Sequence, residues 1–140
     1  MVRHPKLHLV DAGLAAALLG ASAEALARPG HPALGPLLET FVAGEVRRQA
    51  SWSDSPPELL HFREHHGAEV DLILEARDGR VAGIEVKASA TAEGRDFRGL
   101  DRLYEHLGER FTFGAVLYLG DRVLPFGDRR AALPISALWT

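Results

Sequence analysis

The stretch from Glu69 to Ser89 constrains the fold of this chain more than any other. Two runs rich in Val, Ile and Leu, Val70 to Glu75 and Arg80 to Lys87, flank Arg77-Asp78-Gly79, where Gly79 can take the positive φ of a tight reversal. The pattern predicts a β-hairpin. A three-residue loop closing on Gly79 pairs Ala76 with Arg80, sets Asp71 opposite Glu85, and sets Lys87 opposite Glu69. Strand residues two apart share a face, so Val70, Leu72, Leu74, Ala82, Ile84 and Val86 are expected on one side. Asp71, Ile73, Val81, Gly83, Glu85 and Lys87 are expected on the other. A two-residue loop would put Glu85 opposite Leu72 and mix charge into the apolar side, which favours the odd loop.

That register gathers Asp71, Glu85 and Lys87 on one surface, with Gly83 leaving room beside them. Facing carboxylates repel and call for a cation, a shared proton or water. Oxygen ligands of this kind suit magnesium or manganese. The competing reading is a solvated strand face in which Glu85 and Lys87 form a weak surface pair.

A chain of 140 residues, 46% of them hydrophobic, is expected to form one globular domain with a substantial core. No apolar run approaches the ~20 residues of a membrane-spanning helix, and no signal peptide is visible. Without cysteine there are neither disulfides nor thiolate metal sites, which fits a cytoplasmic location. A formal charge of −3 excludes a polycation held to nucleic acid by general phosphate neutralisation. Any such contact is expected to be local. The available clusters are Arg47-Arg48, the group Arg95, Arg98 and Arg102, and Arg129-Arg130, each of which also reads as ordinary solvated surface.

Lys6 to Val10 reads as a short strand, followed by a helix from Ala12 to Leu19 capped by Asp11 and stopped by Gly20. Pro and Gly make a loop of residues 27–36 before a helix from Leu37 to about Gln49. In that helix Leu34, Leu37, Leu38, Phe41, Val42 and Val46 form an apolar stripe with Glu45 near its centre. A carboxylate there needs a metal, a hydrogen bond or a partner arginine. Glu58 to Arg63 reads as the strand before the hairpin. His61, His65 and His66 are weaker ligand candidates, the last two being adjacent and pointing apart on a strand. Phe97 to Leu107 reads as an amphipathic helix ended by Gly108, Phe111 to Leu119 as a buried strand, and Arg122 to Phe126 as another. Leu133 to Trp139 reads as an apolar tail that packs back. The expected class is α/β, a mixed central sheet with helices on both faces, in the order α-α-β-β-β-α-β-β.

A helix carrying a glutamate, a hairpin with Asp71, and then Glu85-Val86-Lys87 resembles the PD-(D/E)XK nuclease superfamily, with Val70 in place of the motif's proline. The fuller text is Lys6-Leu-His-Leu-Val-Asp11-Ala-Gly13-Leu14, Gly35-Pro-Leu-Leu-Glu39-Thr-Phe41-Val42, Gly67-Ala-Glu69-Val-Asp71 and Ile84-Glu-Val-Lys-Ala-Ser89. It is similar to the C-terminal domain of unknown function attached to prokaryotic AAA-type ATPases. The resemblance implies a restriction-endonuclease-like core over residues 35–140, with residues 1–34 as a lead-in to the same domain. It also implies an upstream ATPase domain outside this chain, in which no ATP-binding loop is visible. It further implies magnesium- or manganese-dependent phosphodiester hydrolysis on DNA or RNA, with Asp71, Glu85 and the Val86 carbonyl as ligands and Lys87 orienting or deprotonating the attacking water. By spacing from Gly35 the resemblance assigns Glu39 as the helix ligand, whereas position on the helix favours Glu45. The alternative function is a catalytically inactive module that binds nucleic acid or couples to the ATPase by protein contacts. The exposed face of the Ala12 to Leu19 helix is expected to meet that ATPase or a second copy of the chain.

Overall fold

The computed structural model describes residues 6–64 and 67–140. At its centre the hairpin forms as the odd loop requires: β2 (Glu69–Glu75) and β3 (Val81–Lys87) pair antiparallel, with Leu72 opposite Ile84 and Leu74 opposite Ala82. The Ala76 amide donates to the Arg80 carbonyl, and Gly79 takes φ +85°. The strand before it, β1 (Glu58–Arg63), pairs antiparallel with β2.

One feature of that pairing redirects the hairpin's upper end. Leu60 faces Ile73 but Phe62 faces Val70, so three residues of β2 advance against two of β1. This bulge in β2 reverses the facing of the residues before it. Leu72 packs with Val42 and Val46 on one side of the sheet, whereas Val70 joins Ile73 on the other, among Phe97, Leu100 and Leu103. Val70 therefore leaves the Leu72 and Leu74 face expected for it, and Asp71 is turned away from the Ile73 side.

The remaining strands complete a six-stranded mixed sheet in the order β1-β2-β3-β4-β6-β5. β4 (Phe111–Tyr118) runs parallel to β3, β6 (Arg130–Pro134) runs parallel to β4, and β5 (Leu124–Pro125) closes the edge antiparallel to β6. β6 corrects the sequence expectation, which read no strand here and only an apolar tail from Leu133 onward. Its Ala131 and Ala132 are small and buried, and parallel pairing with β4 fixes a segment of low strand propensity.

Three helices precede the sheet: α1 (Ala12–Leu18), the single turn α2 (Ala23–Leu26), and α3 (Leu34–Ala50). Asp11 caps α1 as expected, its Oδ1 accepting from the Leu14 amide at 2.8 Å. α2 falls in a stretch with no helix assigned from the sequence; Ser22 caps it by accepting from the Ala25 amide. α3 packs Val42 and Val46 on the Leu72, Val86 and Leu117 side. On the other side lies α4 (Arg98–Leu107), entered through a 3₁₀ turn, Gly94–Phe97. Phe97 and Leu100 are fully buried there against Val70, Phe111 and Val116. Helices on both faces match the expectation, and a final 3₁₀ segment, Ile135–Trp139, packs back on α3, with Trp139 and Phe41 rings 5.5 Å apart.

Glycine sets the α4 approach. A Cβ at Gly99 would collide with the Glu69 carbonyl oxygen, and one at Gly83 would lie 2.6 Å from Leu100 Cδ2. Only glycine at both positions lets the helix lie this close to β2 and β3.

Lys6 to Val10 adds no strand. This segment crosses α3 instead: the His8 ring meets Thr40 Oγ1 at 3.1 Å, and a Cβ at Gly44 would lie 3.9 Å from the Val10 carbonyl oxygen. Side-chain contacts to the helix, in place of a ladder, hold it.

Candidate active site at the fork of the central hairpin

The regular β2–β3 ladder stops at Leu72 and Ile84, and the acidic residues lie beyond that point. Asp71, 8% exposed, bridges the opening: its Oδ2 accepts from the Val86 amide at 2.9 Å. Its Oδ1 accepts from Lys6 Nζ at 2.5 Å. Lys6 also reaches Glu39 of α3 at 2.9 Å and Glu69 of β2 at 3.3 Å. One ammonium thus gathers three carboxylates that are far apart in sequence. Burial works against its charge, but the bonds to Asp71 and Glu39 outweigh that and hold its pKa above the usual lysine value. His8 is pushed below its ordinary value, first by burial and then by the neighbouring Lys6 charge.

Glu85 and Lys87 point to the α4 side, into a shallow cleft whose other walls include Glu69, Arg95, Asp96 and Arg98. Lys87 Nζ donates to Glu85 Oε1 at 3.0 Å. Glu85 Oε2 is buried and has no hydrogen-bond partner among the described residues. Burial first, and the Asp71 charge second, push the Glu85 pKa up to about 7 despite Lys87. Lys87 is raised above the ordinary lysine value: burial opposes its charge, and the Glu85 carboxylate more than compensates.

The expected cluster is therefore divided by the bulge in β2. Asp71 and Glu39 meet Lys6 on the α3 side, Glu85 and Lys87 occupy the cleft on the α4 side, Glu69 reaches Lys6 while bordering that cleft, and the Asp71 charge is felt by Glu85 across the fork. Glu45 is elsewhere. It is 3% exposed, as its place in the stripe predicts, but Arg48 meets it at 2.5 Å and Gln49 Nε2 donates to it at 2.9 Å. Gln49 also donates to the Leu138 carbonyl, so this network ties α3 to the C-terminal 3₁₀ segment. Lys6 is the site residue that sequence reasoning missed. Its three partners converge only in space, and no local spacing announces them.

The donors have the right chemistry for a hard divalent ion, and the orphaned Glu85 oxygen is an acceptor in want of a partner. Their arrangement does not fit one. The oxygens around Lys6 stand 2.5 to 3.3 Å from its nitrogen, wider than the ~2.0–2.1 Å of magnesium. Among the described residues no three His, Asp or Glu side chains are placed to hold a metal ion. In this state Lys6 takes the coordination that a metal would need.

Of the other candidates, His61 lies on β1 and its ring carries an interaction, while His65 and His66 lie outside the described residues. Most of the basic clusters are neutralised locally: Arg48 by Glu45, Arg95 by Glu93, Arg102 by Glu105, Arg129 by Glu109, and Arg130 by Asp101. Among the described residues no helix is long and apolar enough to cross a membrane.

No curated protein and no solved structure matches the chain. A family model described as a domain of unknown function (DUF4143) matches residues 34–138, which runs from the first residue of α3 into the last 3₁₀ segment and leaves Lys6 outside. Because that match spans the whole sheet and both helices packed on it, the chain belongs to the DUF4143 family.

Proposed function

We propose that this domain is a restriction-endonuclease-like nuclease of the PD-(D/E)XK kind, which hydrolyses phosphodiesters of DNA or RNA in the cytoplasm as the effector end of an AAA-type ATPase. The observation that carries the reading is Glu85, a half-buried carboxylate with one oxygen on Lys87 and the other, Oε2, buried and without a hydrogen-bond partner among the described residues. A buried acceptor left unpaired costs ~1–3 kcal/mol, a cost that proteins tolerate mainly at working sites. A carboxyl with a pKa of about 7 is also matched to moving a proton at neutral pH. Glu85 would take the proton of an attacking water. Lys87 would place positive charge beside the phosphate where negative charge grows. Magnesium or manganese belongs to this proposal, with Asp71, Glu39 and the Val86 carbonyl as the donors to be tested, and with Glu85 as a donor only if Lys87 rather than Glu85 takes the proton.

A second reading is favoured by Lys6. Three carboxylates ion-paired to one lysine form a hub, which suits a non-catalytic module that binds nucleic acid or couples to the ATPase. The discriminating experiment incubates the chain and Lys87→Ala with labelled single- and double-stranded DNA and RNA in manganese. Cleavage by the wild type, lost in a variant with an unchanged circular dichroism spectrum, is expected. Equal cleavage by both would remove Lys87 from the reaction. No cleavage of any of these nucleic acids by the folded wild type would favour the second reading.

A further inference from the structure

We propose that Arg98 grips a backbone phosphate of the nucleic acid in the cleft beside Glu85 and Lys87, so that the substrate is held by its phosphodiester and not by its bases. The inference rests on the nuclease reading above and adds to it the group that holds the substrate.

The charges that line the cleft carry it. Every carboxylate on its described walls is already engaged: Lys87 donates to Glu85, Lys6 reaches Glu69, and Asp96 accepts from the Glu93 amide at 2.8 Å. Of the two arginines on the wall, Arg95 meets Glu93 at 3.1 Å, whereas the Arg98 side chain has neither an ion pair nor a hydrogen bond among the described residues. Further along the same helix Arg102 is held by Glu105, so Arg98 is the member of this basic group left without a counter-charge. What the cleft lacks is therefore an anion. A guanidinium presents a planar fork that matches two oxygens of one phosphate. At neutral pH Glu85, whose pKa is about 7, carries only part of a charge, which lessens the repulsion of a phosphate brought beside Lys87.

The second observation is how Arg98 is mounted. Its side chain is exposed, but the backbone is anchored on both sides. Phe97 before it is 1% exposed, its ring 4.6 Å from that of Phe126, and Leu100 beyond it is fully buried. Gly99 between them packs against the Glu69 carbonyl, on the strand that forms the opposite wall. Only the rotamers of the arginine itself remain to be ordered on binding, which favours a preformed grip. Arg77 supplies the contrast. It is likewise exposed and without a side-chain partner among the described residues, but it lies in the turn at the far end of β2 and β3, away from this cleft. A contact to phosphate carries no sequence information, so recognition through Arg98 is indifferent to base sequence.

Fluorescence anisotropy of labelled DNA and RNA duplexes, in calcium and again in EDTA, tests this on the wild type, Arg98→Ala, Arg98→Lys and Arg77→Ala, each checked for folding by circular dichroism. Arg98→Ala is expected to bind roughly tenfold more weakly and to lower the slope of log affinity against log salt by about one. Arg98→Lys is expected to keep the slope and to recover only part of the affinity, because it keeps the charge and loses the fork. Arg77→Ala removes the same charge elsewhere and is expected to bind as the wild type does; equal losses in the two alanine variants would reduce the effect to net charge and overturn the inference. Duplexes of unrelated sequence are expected to bind alike, and a preference of more than about tenfold would overturn recognition through the backbone. Undiminished binding by Arg98→Ala would overturn the grip while leaving the nuclease reading standing. No binding of either duplex by the folded wild type under either condition would overturn both.

Discussion

Glu45, which is buried, and Glu85, which is half-buried with one oxygen shut off from water, lie on elements that pack against each other, yet they have been treated in opposite ways. Glu45 receives Arg48 on one oxygen and Gln49 on the other, and its charge ties α3 to the chain's last segment. Glu85 has one side-chain partner, Lys87, and among the described residues its second oxygen is buried with no well-formed hydrogen bond, the nearby Asp71 backbone amide contributing only weakly. The contrast teaches that burial of a carboxylate does not mark a working site. Incomplete satisfaction is what sets Glu85 apart, because a purely structural role would have been served by completing the hydrogen bonds.

The largest break in this comparison is expected from pH. Folded Glu85 keeps its proton to about pH 7, whereas in the unfolded chain it releases it near the ordinary value of 4.5. Between these values the native state binds more protons, so stability is highest below 4.5, falls as the pH rises through 7, and levels off above. The expected loss is roughly 2 to 4 kcal/mol. His8, whose pKa is lowered, pulls the other way in the same window, so the quantity to measure is the difference between wild type and Glu85→Gln in urea denaturation across pH. That difference should grow in favour of the variant up to about pH 7; a flat difference would show that Glu85 is ionised throughout.

Glu45→Ala comes next, at about 1 to 3 kcal/mol of lost stability, the cost of removing a buried acceptor from charged and amide donors. Arg48 is 57% exposed and can turn to water, which keeps the loss from reaching that of a fully buried pair. Urea denaturation at neutral pH measures it, and a loss below ~0.5 kcal/mol would mean that the network holds nothing. The smallest effect sharpens the contrast. Lys87→Met removes the main group that holds Glu85 down, leaving only the weaker pull of the Asp71 backbone amide, so the midpoint of the pH-dependent loss should move upward; an unmoved midpoint would show that the Glu85–Lys87 pair is too weak to matter.

Much of the frame was legible in the chain. The choice of an odd loop at Gly79 gave the observed hairpin register, and the 3.6-residue period of α3 correctly buried Glu45, with an arginine three residues on as its partner. The bulge in β2 was not legible, because it is a property of the pairing with β1 and leaves no mark in the alternation of β2 itself. It moved Val70 to the α4 side and divided the acidic cluster across the fork. β6 was missed because Arg-Ala-Ala-Leu-Pro carries no β-branched residue and becomes a strand only beside β4. Lys6 sits 33 residues from Glu39 and 65 from Asp71, and no periodicity connects such distances.

The glycine at position 99 bears on all of this through an atom it lacks. Because the backbone of α4 rests directly on the Glu69 carbonyl, the distance between the helix and the acidic rim is set by the thickness of a peptide group alone. The cleft that holds Glu85 and Lys87 is therefore gauged like a slot cut to a fixed shim. A single methyl at that position would lift the helix, widen the slot for water, and loosen the desolvation on which the unusual proton affinity of Glu85 depends.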